Sequence, residues 1–413
     1  MELIRIVIVG AGFGGTYTLR KLHQFFHNDA RVRITLVSEK NYFLFTPLLH
    51  EVATGGVNPE NIVEPIRKIL GCCLHEFFLG KAIRLDLEGG TMETTAGVLQ
   101  YDYLVLAPGA ETNFYDTPGA REYSFTLKSL EDAVRLKNHC IAQVERASHL
   151  SDRNTRRRTL RFIVVGGGPT GVELAAELHE FLKQTFSGYY AKEIIEDISV
   201  ILVQKAAELL PKFAKSLQKK SLEVLRKKGI EVLLKTHVTQ VRNDAVEFAD
   251  GKILFTETVV WVAGIQPASI PFAMPAARES DGRLTVNQYL QLDGHSHVFA
   301  LGDAAGAKTE HGALLPALAQ VAAQEANTVA ENIRRHIADQ TLKPFSYRNA
   351  GTLVSLGQWM AVGEISTFTL WGHLAWWIWR AVYLSKLISR RKKIKVAVDW
   401  TLNLFSPRDI SQL

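Results

Sequence analysis

Ile4-Arg5-Ile6-Val7-Ile8-Val9-Gly10-Ala11-Gly12-Phe13-Gly14-Gly15 decides the fold. Six residues with a continuous apolar bias read as a parallel strand buried on both faces. The glycines that follow fit the turn between a strand and a helix that cradles a pyrophosphate. Gly10 allows the tight turn, Gly12 lets the backbone approach the anion, and Gly15 lets helix and strand pack closely. The helix N-terminus then offers free N–H groups and a partial positive charge. The chain does this twice. Phe162-Ile163-Val164-Val165 leads into Gly166-Gly167-Gly168-Pro169-Thr170-Gly171, again before a helical pattern. One such loop is a weak signal, but two in the same setting predict two bound dinucleotides and electron transfer between them.

The spacing outward from each loop predicts an α/β chain of two Rossmann-like dinucleotide-binding domains, the second inserted in the first. Expected parallel strands run over Val32–Ser38, Tyr101–Leu106 and Val298–Leu301 in the first, and over Ile198–Val203 and Thr258–Val262 in the second. Helices are expected from Ser129 to Ala147 and from Pro316 to Ile337. The expected boundaries are 1–118 and 269–340 for the two parts of the first domain, 119–268 for the second, and 341–413 for a C-terminal region. Arg153 to Arg161 reads as a solvated basic connection and not a nucleic-acid patch, because no aromatic residues interleave it.

Glu39 ends the second strand, where such a domain holds a carboxylate for ribose hydroxyls. Gln204 takes the same place in the second domain, beside Lys205. An amide next to a cation does not repel a 2′-phosphate, so NADH and NADPH both stay open. Asp303, after Gly302 at a strand end, reads either as a polyol ligand or as an ordinary turn residue. Glu173, two residues past Gly171, reads either as a complement to the helix dipole or as a proton relay. Gln320 and Gln324 lie four apart on one helix face, a spacing that suits the two carbonyls of a quinone or a plain polar stripe.

The whole chain carries a net charge of +6. From Ser366 to Leu413 there are eight basic and two acidic residues, which accounts for all of it, and five of the seven tryptophans lie there too. Phe368 to Ile388 is apolar and aromatic but carries His373, Arg380 and Lys386, which disfavour a membrane-spanning helix. In Ile394 to Phe405, Lys395, Asp399 and Asn403 form one side, and Ile394, Val398, Thr401 and Phe405 the other. That pattern predicts helices lying in a membrane interface with tryptophans at headgroup depth, or alternatively a homodimer contact. Cys72, Cys73 and Cys140 have no metal-ligand spacing, so no metal site is expected and all three read as structural. The start of the chain lies almost on the first strand, leaving little room for a leader.

Taken together these residues resemble the type II NADH dehydrogenases, single-subunit non-pumping NAD(P)H:quinone oxidoreductases. The specific stretches are Asn41 to Leu49 with Val52-Ala53-Thr54-Gly55, Gly171-Val172-Glu173-Leu174, Leu301-Gly302-Asp303, and Ala319-Gln320 through Gln324. The resemblance implies FAD held by Gly10, Gly12, Phe13, Gly14, Gly15, Glu39, Lys40, Gly109, Asp303, Ala319 and Gln320, with Ala82 at the adenine. It implies NADH or NADPH at Gly166, Gly168, Thr170, Gly171 and Gln204, with Gly264 near the nicotinamide. It implies catalytic roles for Glu173, Gln320 and Gln324, a membrane quinone as acceptor, and a peripheral place on the cytoplasmic face of the cell membrane. Competing readings fail on cysteine. No redox pair lies near Phe43 to Leu49, as a disulfide reductase needs, and none lies late in the chain, as a sulfide:quinone oxidoreductase needs. A flavin-bearing regulatory protein is the alternative outside enzymology.

Overall fold

The computed structural model describes residues 3–69, 76–366 and 368–412. Cys72 and Cys73 lie outside the described residues; Cys140 is fully buried, and burial pushes its thiol pKa up. The chain forms two compact units. One comprises Met1–Leu44, Val63–Glu111 and Gln266–Asn349; the other comprises Phe45–Ile62, Thr112–Ile265 and Ala350–Leu413.

In the first unit a six-stranded sheet runs in the order Gln291–Leu292, His295–Ala300, Tyr103–Leu106, Ile4–Val9, Val32–Ser38, Glu76–Leu79. All neighbours are parallel except the Gln291–Leu292 edge. Ile6, Ile8, Leu104, Val105 and Phe299 are essentially inaccessible, as a sheet covered on both faces requires. Register sets function here. Val9 stands opposite both Val37 and Leu106, and Leu106 stands opposite Ala300. Gly10, Glu39, Gly109 and Asp303 therefore leave from one carboxyl edge, where such sheets bind ligands. The helices Phe13–Phe26 and Ala319–Ile337 pack on each other over this sheet.

In the second unit a parallel sheet runs in the order Glu231–Leu233, Ser199–Val203, Arg161–Val165, Thr258–Trp261. Val165 stands opposite Val203 and Trp261, so Gly166, Gln204 and Gly264 also share one edge. The helix Leu130–Ser148 opens with a capping box between Ser129 and Asp132. The antiparallel strands Thr352–Ser355, Ala361–Ile365 and Phe368–Gly372 lead into the helices His373–Lys386 and Arg390–Leu402.

The basic stretch after Asp152 is largely exposed, as expected, but it is a helix, Arg153–Thr159, whose Arg153, Arg156 and Arg157 converge on Asp197 at 3.1, 2.7 and 2.9 Å. The Asp197 side chain is fully enclosed. Positions i, i+3 and i+4 share one helix face, and the buried carboxylate needs the cations that this face presents.

Candidate functional site

Each glycine loop shows a division of labour that fits a pyrophosphate. Gly10 has φ +98°, and a Cβ there would sit 2.1 Å from the Ala107 carbonyl oxygen. A Cβ on Gly15 would sit 1.8 Å from the Gly10 carbonyl oxygen. A Cβ on Gly12 meets nothing within 4 Å. Gly10 and Gly15 thus hold the turn shut against its own backbone, while Gly12 faces open space at the start of the Phe13–Phe26 helix. The second loop repeats this. Gly166 has φ +120°, and a Cβ there would sit 2.6 Å from Ala263 Cα; a Cβ on Gly171 would sit 1.8 Å from the Gly166 carbonyl oxygen, and one on Gly168 meets nothing within 4 Å. Thr170 is exposed in the first turn of Pro169–Glu180.

The remaining residues expected at the first cofactor all fall in the first unit. Phe13 stacks edge-on to Phe43 with ring centres 5.0 Å apart. Glu39 is exposed at the strand end, and Lys40 beside it donates its N–H to Ser38 Oγ at 3.3 Å. Ala82 is buried at the head of the Ala82–Asp86 strand. Gly109 has φ +78° and open space beside it. Asp303 lies in a one-turn helix after Gly302, whose φ is +70°. Gly302 donates its N–H to Glu325 Oε2 at 2.6 Å. Glu325 is a site residue that sequence reading missed. Burial, with the Asp303 charge adding to it, pushes its pKa up to about 7. Its position directly after Gln324 was the only signal.

Ala319 and Gln320 open the Ala319–Ile337 helix, three residues later than the pattern predicted, because Leu318 stays extended. Gln324 is already engaged: its Nε2 donates to the Arg348 carbonyl at 2.9 Å, and its Oε1 accepts from the Arg348 N–H at 3.0 Å.

The nucleotide set falls in the second unit with Glu173. Gln204 Oε1 accepts the Gly167 N–H at 3.0 Å, and its Nε2 donates to the Glu208 carbonyl at 3.3 Å. The side chain expected at the ribose therefore also braces the phosphate loop. A Cβ on Gly264 would lie 2.1 Å from the Tyr115 hydroxyl. Tyr115 holds a left-handed φ of +49°, with its N–H on Asn113 Oδ1 at 2.7 Å. Tyr115 thus packs against Gly264 at the nucleotide edge, and the sequence carried no sign of it.

Glu173 lies beyond the first helical turn, which holds no acid. It is buried, accepts the Ser355 N–H at 3.0 Å, and has His50 Nδ1 3.8 Å from its Oε2. Burial, opposed by the Ser355 hydrogen bond, pushes its pKa up to about 8. Lying past the first turn, where the pull of the dipole fades, Glu173 is poorly placed to complement it.

The tail departs from expectation in its aromatics. Trp376, Trp379 and Trp400 are buried within the second unit, not set at headgroup depth. Trp376 and Trp400 sandwich Arg380, whose guanidinium lies 3.8 and 4.8 Å from their ring centres. Trp371 and Trp377 are exposed. On Arg390–Leu402 the polar side faces inward: Asp399 Oδ2 accepts from Asn61 Nδ2 at 2.6 Å, and Asn403 donates to the Gly56 carbonyl at 2.7 Å. Ile394, Val398, Leu402 and Phe405 face outward. No helix among the described residues is long and apolar enough to cross a membrane, and no acidic, His or Cys cluster there is able to hold a metal.

Residues 4–326 match the pyridine nucleotide-disulphide oxidoreductase family, and the fold and paired cradles are those of that class. Residues 349–409 match the NDH2 C-terminal domain. Among curated relatives, the type II NADH:quinone oxidoreductase Ndh of Mycobacterium tuberculosis is 31% identical over 98% of this chain and 89% of its own. A probable mitochondrial NADH-ubiquinone oxidoreductase of Schizosaccharomyces pombe is 31% identical over 99% and 83%. The chain belongs to the type II NADH:quinone oxidoreductase family. The fold agrees: NDH2 from Plasmodium falciparum, solved in complex with NADH, superposes with a TM-score of 0.91 at 21% identity over 99% of both chains. The sulfide:quinone oxidoreductase of Aquifex aeolicus superposes less well, with a TM-score of 0.75 over 97% of this chain and 95% of its own at 20% identity.

Proposed function

We propose that this chain passes two electrons from a nicotinamide dinucleotide through FAD to a quinone at a membrane surface, without moving protons across the membrane. The observation that carries the reading is the doubled cradle: two loops of the same build, one in each unit, each closed by two glycines and open at a third. FAD, when bound, supplies the two-electron step between a hydride donor and a quinone. Gly12 and the first turn of Phe13–Phe26 would hold its pyrophosphate, and Glu39 and Asp303 its hydroxyl groups. Gly168 and the first turn of Pro169–Glu180 would take the nucleotide, with Gln204 at its ribose.

Gln320 is the amide we assign to a quinone carbonyl. Gln324 would have to release the Arg348 backbone to join it. Glu173 is the proton donor in this reading: buried, with a pKa that burial raises, and on the helix that leaves the nucleotide cradle. Stopped-flow reduction of the flavin by NADH, then mixing with a soluble quinone, tests the sequence of steps. Fast reduction and fast reoxidation support it; a flavin that NADH reduces and quinone leaves reduced would make this a binding protein.

The outward row of Ile394, Val398, Leu402 and Phe405, with exposed Phe368, Trp371, Leu374 and Trp377, supports a peripheral membrane face. The basic tail suits anionic lipid on the cytoplasmic side, where we place the protein. Val398→Asp with Leu402→Asp should release it from membranes. If it stays bound and instead loses a detergent-stable dimer, that face belongs to a second copy.

A further inference from the structure

The helix Lys215–Lys228 follows the Ser199–Val203 strand in the second unit. From Lys212 to Lys228 the chain carries seven basic residues and one acid, a net charge of +6. That equals the charge of the whole chain, so the tail is not its only concentrated source. The body ahead of the tail is neutral because acids elsewhere balance this helix. The placement works against the helix itself. Lys215 and Lys219 stand four apart, a like-charge pair that destabilises a helix. No acid lies in the first turn, where the dipole disfavours cations. Lys215 has Glu208 at 2.6 Å, and Lys220 has Glu223 at 3.6 Å. Lys212 and Lys219 are exposed and have no ion-pair partner among the described residues.

Two contacts join this charge to the exposed aromatic face. The Ala214 N–H, at the helix start, donates to Glu364 Oε1 at 2.5 Å. Glu364 lies on the Ala361–Ile365 strand, and the neighbouring Phe368–Gly372 strand sets Trp371 opposite Val362. The Lys220 ammonium lies 4.8 Å from the Trp371 ring centre. Trp371 is 59% exposed and Phe368 72%. Leu374 and Trp377, three apart on His373–Lys386, are 65% and 50% exposed. Lysines and exposed apolar side chains therefore border one another at Trp371. Indoles at headgroup depth with ammonium groups beside them suit an anionic bilayer surface. A nucleic acid would take the cations but leave Phe368 and Leu374 in water.

We propose that Lys212, Lys219 and Lys220 form a second lipid contact of this chain, one that binds the anionic headgroups of a bilayer beside Trp371. The contact rests on the peripheral membrane reading above and extends it. Part of the charge that holds the protein to lipid then comes from a helix of the second parallel sheet's layer, not from the tail. The two parts divide the work. Phe368, Trp371, Leu374 and Trp377 enter the interface, and their burial is indifferent to lipid charge. The lysines stay at headgroup level and read that charge. Each lysine near an anionic surface strengthens binding about 5-fold. The division makes the two contributions separable by lipid composition and by salt.

The test is vesicle cosedimentation of the flavin-loaded full-length protein carrying Lys212→Gln with Lys219→Gln. The vesicles are phosphatidylcholine alone, or phosphatidylcholine with about one third phosphatidylglycerol. Flavin content and turnover of a soluble quinone should match the parent, because neither lysine lies at a glycine loop. Affinity for the anionic vesicles should fall roughly 25-fold, while affinity for the neutral ones should hold. At about 1 M salt, where charges are screened within about 3 Å, parent and variant should converge. Arg158→Gln with Lys252→Gln, two exposed cations elsewhere in the second unit, removes the same charge and should leave anionic binding near the parent's. Parent-like anionic binding in the lysine pair would overturn the helix contact and leave lipid charge to the tail. An equal loss in the control pair would reduce the effect to net charge and overturn it too. Salt-sensitive binding of the parent to single-stranded DNA, lost in the lysine pair while vesicle binding stays, would give the helix to nucleic acid instead. A parent that sediments with neither vesicle would overturn the underlying membrane reading.

Discussion

Arg408 Nη2 lies 2.6 Å from Glu177 Oε2, and this pair ties the end of the chain to the helix that carries Glu173. Arg408 also lies 3.7 Å from Glu180 and donates to Thr54 Oγ1 at 3.1 Å. Removing one side of a buried pair leaves the other charge uncompensated, at about 3–5 kcal/mol. Arg408→Ala should therefore cost that order of stability in chemical denaturation, and Arg408→Lys should restore only part, because a lysine reaches one carboxylate with a point charge. A loss under about 1 kcal/mol, the level of an exposed pair, would mean that solvent already screens the site.

The sequence made the sheet edges legible and left this cluster hidden, for a physical reason. Gly10, Gly12 and Gly15 act within a few residues of one another, so their spacing carries the geometry. Arg408 meets Glu177 across 231 positions, and Trp400 meets Glu51 across 349. Nothing local announces either contact. The tryptophans misled for the same reason: a basic, Trp-rich tail reads as a membrane surface until Trp376 and Trp400 prove to flank Arg380, Trp400 to bond Glu51, and Trp379 to pack on Trp400. The outward face of Ile394, Val398 and Phe405 was legible because helical spacing alone defines it.

Stability should fall with rising pH across neutrality. Burial raises Glu51 from its ordinary 4.5 to about 7 and Glu173 to about 8. As pH rises from 4.5 to these values, the unfolded chain loses protons that the folded one keeps. Each group then costs about 1.4 kcal/mol per pH unit. His50 works the other way. Burial lowers it from 6.5 to about 4, so its stabilisation is lost as pH falls through that interval and offsets part of the trend there. The steepest decline is therefore expected near pH 7. Thermal melts from pH 5 to pH 9 check this. Glu173→Gln, neutral at every pH, should flatten the curve and surpass the parent above pH 8; a parallel curve would show that Glu173 is ionised in the fold.

Gly12→Ala and Gly15→Ala should part ways. A methyl at Gly12 meets nothing within 4 Å, whereas one at Gly15 strikes the Gly10 carbonyl oxygen at 1.8 Å. Gly12→Ala should leave the melting temperature of flavin-free protein within about 1 °C, because nothing in the fold opposes it. It should still weaken flavin retention, because the methyl fills the space the pyrophosphate needs. Gly15→Ala should lower both, since helix and turn must separate. Flavin absorbance after gel filtration, alongside melts of the stripped protein, separates the two effects. Full flavin retention in Gly12→Ala would move the pyrophosphate away from this loop.

Gln204 decides which nicotinamide is preferred if its side chain meets the ribose, and the geometry allows a clean substitution. Gln204→Glu keeps an oxygen to accept the Gly167 N–H and loses only the bond from Nε2 to the Glu208 carbonyl. The phosphate loop should stay braced while a negative charge appears at the strand end. Two like charges at about 4 Å repel by about 1 kcal/mol in water and about 4 kcal/mol at a partly screened surface. The kcat/KM for NADPH should then fall by roughly 10- to 100-fold, with that for NADH changed by only a few-fold. Lys205→Ala should act in the same direction and more weakly, because Lys205 is exposed. The ratio of the two kcat/KM values reports the effect free of any general loss of activity. A ratio unchanged in Gln204→Glu would confine Gln204 to bracing Gly167 and leave nucleotide choice to other residues of the second unit.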